Sequence, residues 1–313
     1  MPEQITAFAP ASIGNVGVGF DILGLALEGA GDRVIARRMA ESGIVVSEVR
    51  GLDGELHPYL STDPEHNTAS IAAWAFWNDH GDSGGIDIAV HKGVPLQSGM
   101  GSSAASAVAA VVAVNALLDK PLDQHRLLPY ALEGEKYASG GVHADNVAPS
   151  LLGGLVLCPV ALLPETIALP VPNGVSTVLL HPELQVNTAH ARRGLAKGYS
   201  MQQWLTQQGY LAGFIAACAS GDLGLIGRTL KDVVIEPQRS DAVPCFSEVK
   251  DAAIRAGALG CSLSGSGPSI FALAGEDQAR NIAVAMEQAC RGFGIECQSW
   301  VSRMAAPGAA VED

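Results

Sequence analysis

PLQSGMGSSAAS, Pro95 to Ser106, joins a glycine-serine loop directly to an alanine-rich run of helical character. Gly99 and Gly101 permit backbone conformations and close approaches that a side chain would forbid, and a helix opening near Ser102 directs unpaired N–H groups at an anion. Ala104, Ala105, Ala107, Ala109 and Ala110 keep that helix slim enough to pack closely. The loop contains no lysine, so it is not a Walker A sequence, and charge neutralisation must come from amides, the helix dipole and a metal ion. That combination points to a nucleotide handled with Mg²⁺. An ordinary glycine-rich turn capped by serine has the same composition, so the rest of the chain must decide.

At 313 residues the chain exceeds the size at which one core keeps growing, and two domains are expected. The proline-rich patch Pro159 to Pro172 is the candidate boundary, dividing residues 1–165 from 166–313. A hydrophobic fraction of 48% with 16% charged residues describes a globular protein. The net charge of −13 argues against a nucleic-acid partner, which requires a basic surface. Six cysteines lie scattered without CxxC or zinc-ligand spacing, which reads as buried, reduced thiols in a cytoplasmic protein. MPEQITAFAP has no basic segment followed by an apolar one, and no window reaches the roughly 18 apolar residues of a membrane span. No membrane partner is expected.

Residues 1–50 read as strands and turns, with β-branched residues between glycine and acidic punctuation. Helices are expected over 67–80, from Ser102 onward and over 123–138, with IDIAVHKGV as a strand feeding the loop. GGVHADN reads as a loop and LLGGLVLCPV as a strand. Further on, a strand at 176–181, helices over 201–220, 223–235 and 244–256, a strand pair around 264–269, a helix over 276–291 and a strand over 296–303 are expected. The tail after Met304 reads as frayed. Strands and helices interleave in both halves, an α+β architecture.

Four separated segments carry a resemblance that spans nearly the whole length: APASIGNVGVGFDILGLAL, PLQSGMGSSAAS, ALEGEKYASGGVHADNVAPSLLGG and GCSLSGSGPSIFAL. Together they resemble the motifs of the GHMP kinase superfamily, and the HADNVAP and EPQR strings resemble its branch acting on L-homoserine. Met100 stands where leucine is more usual and Gln97 where glycine is frequent; neither alters the cradle's chemistry. The resemblance implies a two-domain fold, an N-terminal ATP-binding α+β domain followed by a ferredoxin-like α+β domain. It also implies ATP and Mg²⁺ as cofactors, threonine biosynthesis as the setting and a homodimer at family level.

Pro95, Gly99, Gly101, Ser102, Ser103 and Ala104 then form the nucleotide cradle. Ser102 or Ser103, with Glu135, would hold Mg²⁺, which takes a few protein oxygens and completes its shell with phosphate and water. The resemblance selects Glu135 over Glu133; without it, two glutamates on a helix read as a solvated face. Asn67 reads equally as a contact to the base and as a plain N-cap. His143, Asp145 and Asn146, with Asn15 and Asp21, would line a small polar cavity. Asp21 interrupts an apolar run, where a buried carboxylate needs a partner: a substrate ammonium, or an internal Arg or Lys. The resemblance selects Arg192 and Arg239 as ligands of an α-carboxylate, a role suited to the guanidinium fork.

Related kinases acting on mevalonate and galactose carry an aspartate as base near the acceptor hydroxyl; the resemblance puts Asn146 there, whose amide cannot accept a proton. Direct transfer follows, driven by positioning and charge neutralisation, with Thr188 as a partner for the hydroxyl. A kinase for another small alcohol, such as mevalonate, and a non-catalytic nucleotide-binding protein are the competing readings.

Overall fold

The computed structural model describes residues 3–312 of the chain. Its N-terminal part is built from β1 (Gln4–Gly14), β2 (Leu23–Met39), β3 (Ile44–Arg50), α1 (Thr68–His80), β4 (Gly85–His91), α2 (Ser102–Ala116), α3 (Leu128–Ser139), α4 (Ala144–Leu152), β5 (Leu155–Leu157) and β6 (Ile167–Leu169). There follow β7 (Val175–Pro182), α5 (Thr188–Arg193), α6 (Met201–Ser220), α7 (Leu223–Thr229), α8 (Glu236–Arg239), α9 (Phe246–Arg255), β8 (Gly260–Leu263), β9 (Ile270–Gly275), α10 (Glu276–Arg291), β10 (Cys297–Arg303) and β11 (Ala310–Glu312). One sheet runs β11-β1-β2-β4-β3, with β5 and β6 added beside the first half of β2. The other runs β10-β7-β9-β8, the 4-1-3-2 order of a ferredoxin-like domain, all antiparallel. β7 and β9 are buried almost throughout, since α9 and α10 cover one face and Phe214 and Ala217 of α6 pack with Leu179, Phe271 and Leu273 on the other.

α2 is the hub of the first layer. Every residue from Ala104 to Asn115 is buried, and its small side chains let α1, α3 and the β1–β2 ribbon approach from all sides. Phe76 of α1, fully buried, meets Tyr130 of α3 edge to face at 5.2 Å, and its burial is worth about 2–3 kcal/mol. Gly134 completes the packing: a Cβ there would lie 2.6 Å from the Thr68 carbonyl and 3.0 Å from both Ala72 and Ala107. The glycine thereby lets α3 press Glu135 against the opening turn of α2.

Several expectations need correction. The HADN segment is not a loop: α4 begins at Ala144, and the strand after it is confined to Leu155–Leu157. The strand pair expected around 264–269 is β8 and β9, with those residues forming the turn between them. The helix expected over 223–235 stops at Thr229, because the Asp232 carboxylate takes the N–H groups of Val234, Ile235 and Glu236 and folds a turn leading into α8. The tail after Met304 is not frayed over the described residues, since β11 returns to the first sheet and pairs with β1. Strands β6 and β11 therefore belong to the first sheet although they lie beyond residue 165.

Candidate active site

The loop before α2 has the geometry of an anion cradle. Gly99 and Gly101 both take positive φ, +74° and +67°, and Gly101 opens α2 without any side-chain cap. The first-turn N–H groups are left to a ligand. The turn 264–269 braces the loop from the second sheet. Ser264 Oγ donates to the Gly99 carbonyl at 2.6 Å and the Ser269 N–H to that of Ser98 at 3.1 Å. A Cβ on Gly99 would sit 2.5 Å from the Ser264 carbonyl, so no other residue fits between the two turns.

The two serines differ in what they face. Ser102 Oγ donates to the Val94 carbonyl at 2.9 Å, whereas Ser103 Oγ donates to Glu135 Oε2 at 2.6 Å. A hydroxyl touching a buried carboxylate at a helix N-terminus is a donor set suited to Mg²⁺ with nucleotide oxygens. Among the described residues no three His, Cys, Asp or Glu side chains converge as a closed metal cage. Glu135 Oε1 lies 3.4 Å from His143 Nδ1, and His143 Nε2 lies 3.3 Å from Arg192 Nη1. The Glu135 carboxylate raises the basicity of His143 against the effect of burial.

The chain between β1 and β2 is strained. Asn15, Val16 and Asp21 have φ of +67°, +44° and +61°, and for a β-branched residue this is a rare conformation. Asn15 holds the turn together: its Oδ1 accepts the Asp21 N–H, its Nδ2 donates to the Gly265 carbonyl, and its own N–H donates to Asp145 Oδ2. Asp145, on the first turn of α4, is 2% exposed, and burial, reinforced by the nearby Asp21 charge, holds its pKa up at about 6. Gly14 makes room for it, since a Cβ there would lie 2.8 Å from Asp145 Oδ2. Asn146 Oδ1 accepts from Ser12 Oγ at 3.2 Å.

Asp21 is not buried in an apolar strand, as its sequence neighbours suggest; it sits in the turn, its side chain 23% exposed, and pairs with Arg192. The guanidinium fork spans both carboxylate oxygens, at 2.9 and 2.5 Å. Arg239 is buried, with Nη1 donating to the Gly265 carbonyl at 2.9 Å and Nε without a partner. Both guanidinium groups stand over the ring of Phe20, at 5.7 Å for Arg192 and 5.1 Å for Arg239.

One cleft of about 420 Å³ is lined by Asn15, Asp21, Asn67, Gly99, Gly101, Ser102, Ser103, Glu135, His143, Asp145, Asn146, Thr188, Arg192 and Arg239. Pro95 and Ala104 are outside that lining: the Pro95 carbonyl accepts from Ser98 Oγ, and Ala104 is buried in α2. Asn67 caps α1 through Oδ1 and donates Nδ2 to the Ser61 carbonyl, so its side chain is occupied with the fold. Phe20 escaped sequence reading, because an aromatic in an apolar run reads as core.

Comparison with known proteins shows the family and the fold. The GHMP kinases N terminal domain model matches residues 67–154, and the GHMP kinases C terminal model matches residues 214–292. A homoserine kinase of Xylella fastidiosa is 41% identical over 308 residues, covering 98% of this chain and 94% of the relative. The chain belongs to the homoserine kinase family. A homoserine kinase of Chlorobium phaeobacteroides is 40% identical over 322 residues, covering 99% of both. The crystal structure of homoserine kinase from Cytophaga hutchinsonii superposes with a TM-score of 0.95 at 42% identity, covering 100% of this chain and 98% of that one. The glycine loop before α2 lies inside the stretch matched by the N-terminal model. No helix among the described residues is long and apolar enough to cross a membrane.

Proposed function

We propose that this chain transfers the γ-phosphoryl group of ATP to the side-chain hydroxyl of L-homoserine, giving O-phospho-L-homoserine and ADP, as threonine biosynthesis requires. The observation that carries the reading is Arg239, a buried guanidinium that forms no salt bridge among the described residues and lines the cleft that also holds Asp21, Asp145 and the anion cradle. A buried cation without a carboxylate partner calls for an anion, and the carboxylates call for a cation. An α-amino acid supplies both on adjacent atoms.

Arg239 and Arg192 grip the α-carboxylate, and Asp21 with Asp145 receives the ammonium, aided by Asn15 and His143. The side-chain hydroxyl then points toward the cradle, where Asn146 and Thr188 hold it. Ser103 and Glu135 would hold Mg²⁺, which supplies charge neutralisation at the phosphate oxygens. The free N–H groups at the start of α2 add to that stabilisation. Asn146 accepts no proton, so the hydroxyl proton leaves late, to the transferred phosphate itself. The test is phosphorus NMR of the chain with Mg-ATP and L-homoserine. A new phosphomonoester resonance appearing in step with ADP supports the reading, and ATP consumption without that resonance refutes it.

A further inference from the structure

Asp32 of β2 is fully buried, and so is nearly all of the side chain of Lys92, just after β4; the two form an ion pair beside the first turn of α2, where Lys92 and Ser106 also border the cleft. Every polar site on them is used. Asp32 Oδ1 accepts the N–H groups of Gly93 and Val94, at 2.9 and 3.1 Å, and Oδ2 accepts the ammonium and Ser106 Oγ, the latter at 2.6 Å. The ammonium also donates to Ser106 Oγ and to the Ser102 carbonyl, each at 2.8 Å. Gly93 permits the crossing, since a Cβ there would collide with the Gly31 carbonyl.

Stability does not explain such a pair. Desolvation offsets most of the attraction between buried charges, and apolar residues of equal volume commonly do as well. What the pair supplies is fixed geometry among three elements: β2, the exit from β4 and the opening of α2. Two of these carry the cradle. The Ser102 carbonyl that Lys92 grips belongs to the same rigid peptide plane as the Ser103 N–H. Holding the oxygen at one end aims the N–H at the other, and polarisation by the ammonium makes that N–H a stronger donor. The Ser103 side chain, which reaches Glu135, is oriented by the same plane.

We propose that Asp32, Lys92 and Ser106 are positioning residues for the nucleotide, acting through the Ser102–Ser103 peptide without reaching the reacting atoms. The proposal rests on the reading of this cleft as a nucleotide site. Misplacement of a reacting group by about 1 Å can cost on the order of 100-fold.

The test is calorimetric titration of Mg-ADP into the wild-type chain and into Ser106→Ala, Ser106→Thr and Lys92→Met, with thermal melts and steady-state kinetics alongside. Ser106→Ala is expected to weaken Mg-ADP about tenfold and to raise KM for ATP in parallel, with KM for L-homoserine within about twofold; Lys92→Met is expected to lose about 100-fold. Ser106→Thr, which keeps the hydroxyl, restores the affinity. Lower melting temperatures with unchanged Mg-ADP affinity and KM for ATP would overturn the proposal, as would a change confined to L-homoserine. Failure of the wild type to bind Mg-ADP would instead refute the nucleotide reading. If Lys92→Met does not fold, the Ser106 pair decides alone.

Discussion

Replacing Asp145 by Asn is expected to stabilise the empty protein while disabling it. The carboxyl is buried against Asn15, and burial holds its pKa at about 6 instead of 3.8. At 1.36 kcal/mol per unit, keeping it ionised above pH 6 costs the folded state about 3 kcal/mol. The sign follows from the raised value: the folded state binds the proton more tightly than the unfolded chain. The cost is therefore absent below pH 3.8, grows between 3.8 and about 6, and is full above that. Asparagine carries no charge, and its side-chain oxygen still accepts the Asn15 N–H. Its amide nitrogen replaces the oxygen that accepts from Asn146 Nδ2 at 3.4 Å, so the gain falls short of the full cost. Asp145→Asn should thus exceed the wild type by up to about 3 kcal/mol at pH 8 and by roughly half that at pH 5. In thermal melts without ligands this is a gain of several degrees at pH 8 that shrinks on acidification. A variant less stable than the wild type at pH 8, or an advantage that grows as pH falls, would refute the account of Asp145 as a carboxylate held ready for a cation.

Asp21→Asn frees Arg192 from its partner, so 4-hydroxybutyrate, which lacks the ammonium, should bind a few-fold better than to the wild type. L-Homoserine should bind about 10- to 100-fold worse in the same calorimetric series; parallel losses for both ligands would contradict the pairing of Asp21 with the ammonium. Gly134→Ala forces a methyl against the Thr68 carbonyl and Ala107, and is expected to cost about 1–3 kcal/mol in urea unfolding and to lower kcat by displacing Glu135. An unchanged midpoint would show that the three helices yield there. Asn146→Asp is expected to leave kcat at neutral pH no higher than the wild type; a strong rise would mean that the reaction is limited by the lack of a carboxylate base.

The conformation of the loop before α2 was legible because glycines at fixed offsets and a run of alanines dictate local conformation directly. The interleaving of strands and helices in the second half was legible from local patterns, whereas its ferredoxin-like arrangement came only from the resemblance. What escaped depends on contacts between distant segments. α4 hid behind Gly140-Gly141 and an internal Pro149, both of which read as loop chemistry. Asp21 looked buried because its neighbours are apolar, yet the Asn15 side chain turns the chain there and β2 starts only at Leu23. β11 is three residues whose strand character comes from pairing with β1 at the other end of the chain. Lys92 and Asp32 are 60 residues apart, and no local pattern marks either as a pair.

The central claim is that the cleft selects an α-amino acid bearing a hydroxyl. Its most direct test is kcat/KM with saturating Mg-ATP for L-homoserine, 4-hydroxybutyrate, mevalonate and galactose, read by ADP release. The cleft described here predicts L-homoserine preferred by at least about 1,000-fold, since each alternative leaves a buried charge of the site unpaired. Comparable turnover of mevalonate or 4-hydroxybutyrate would contradict it.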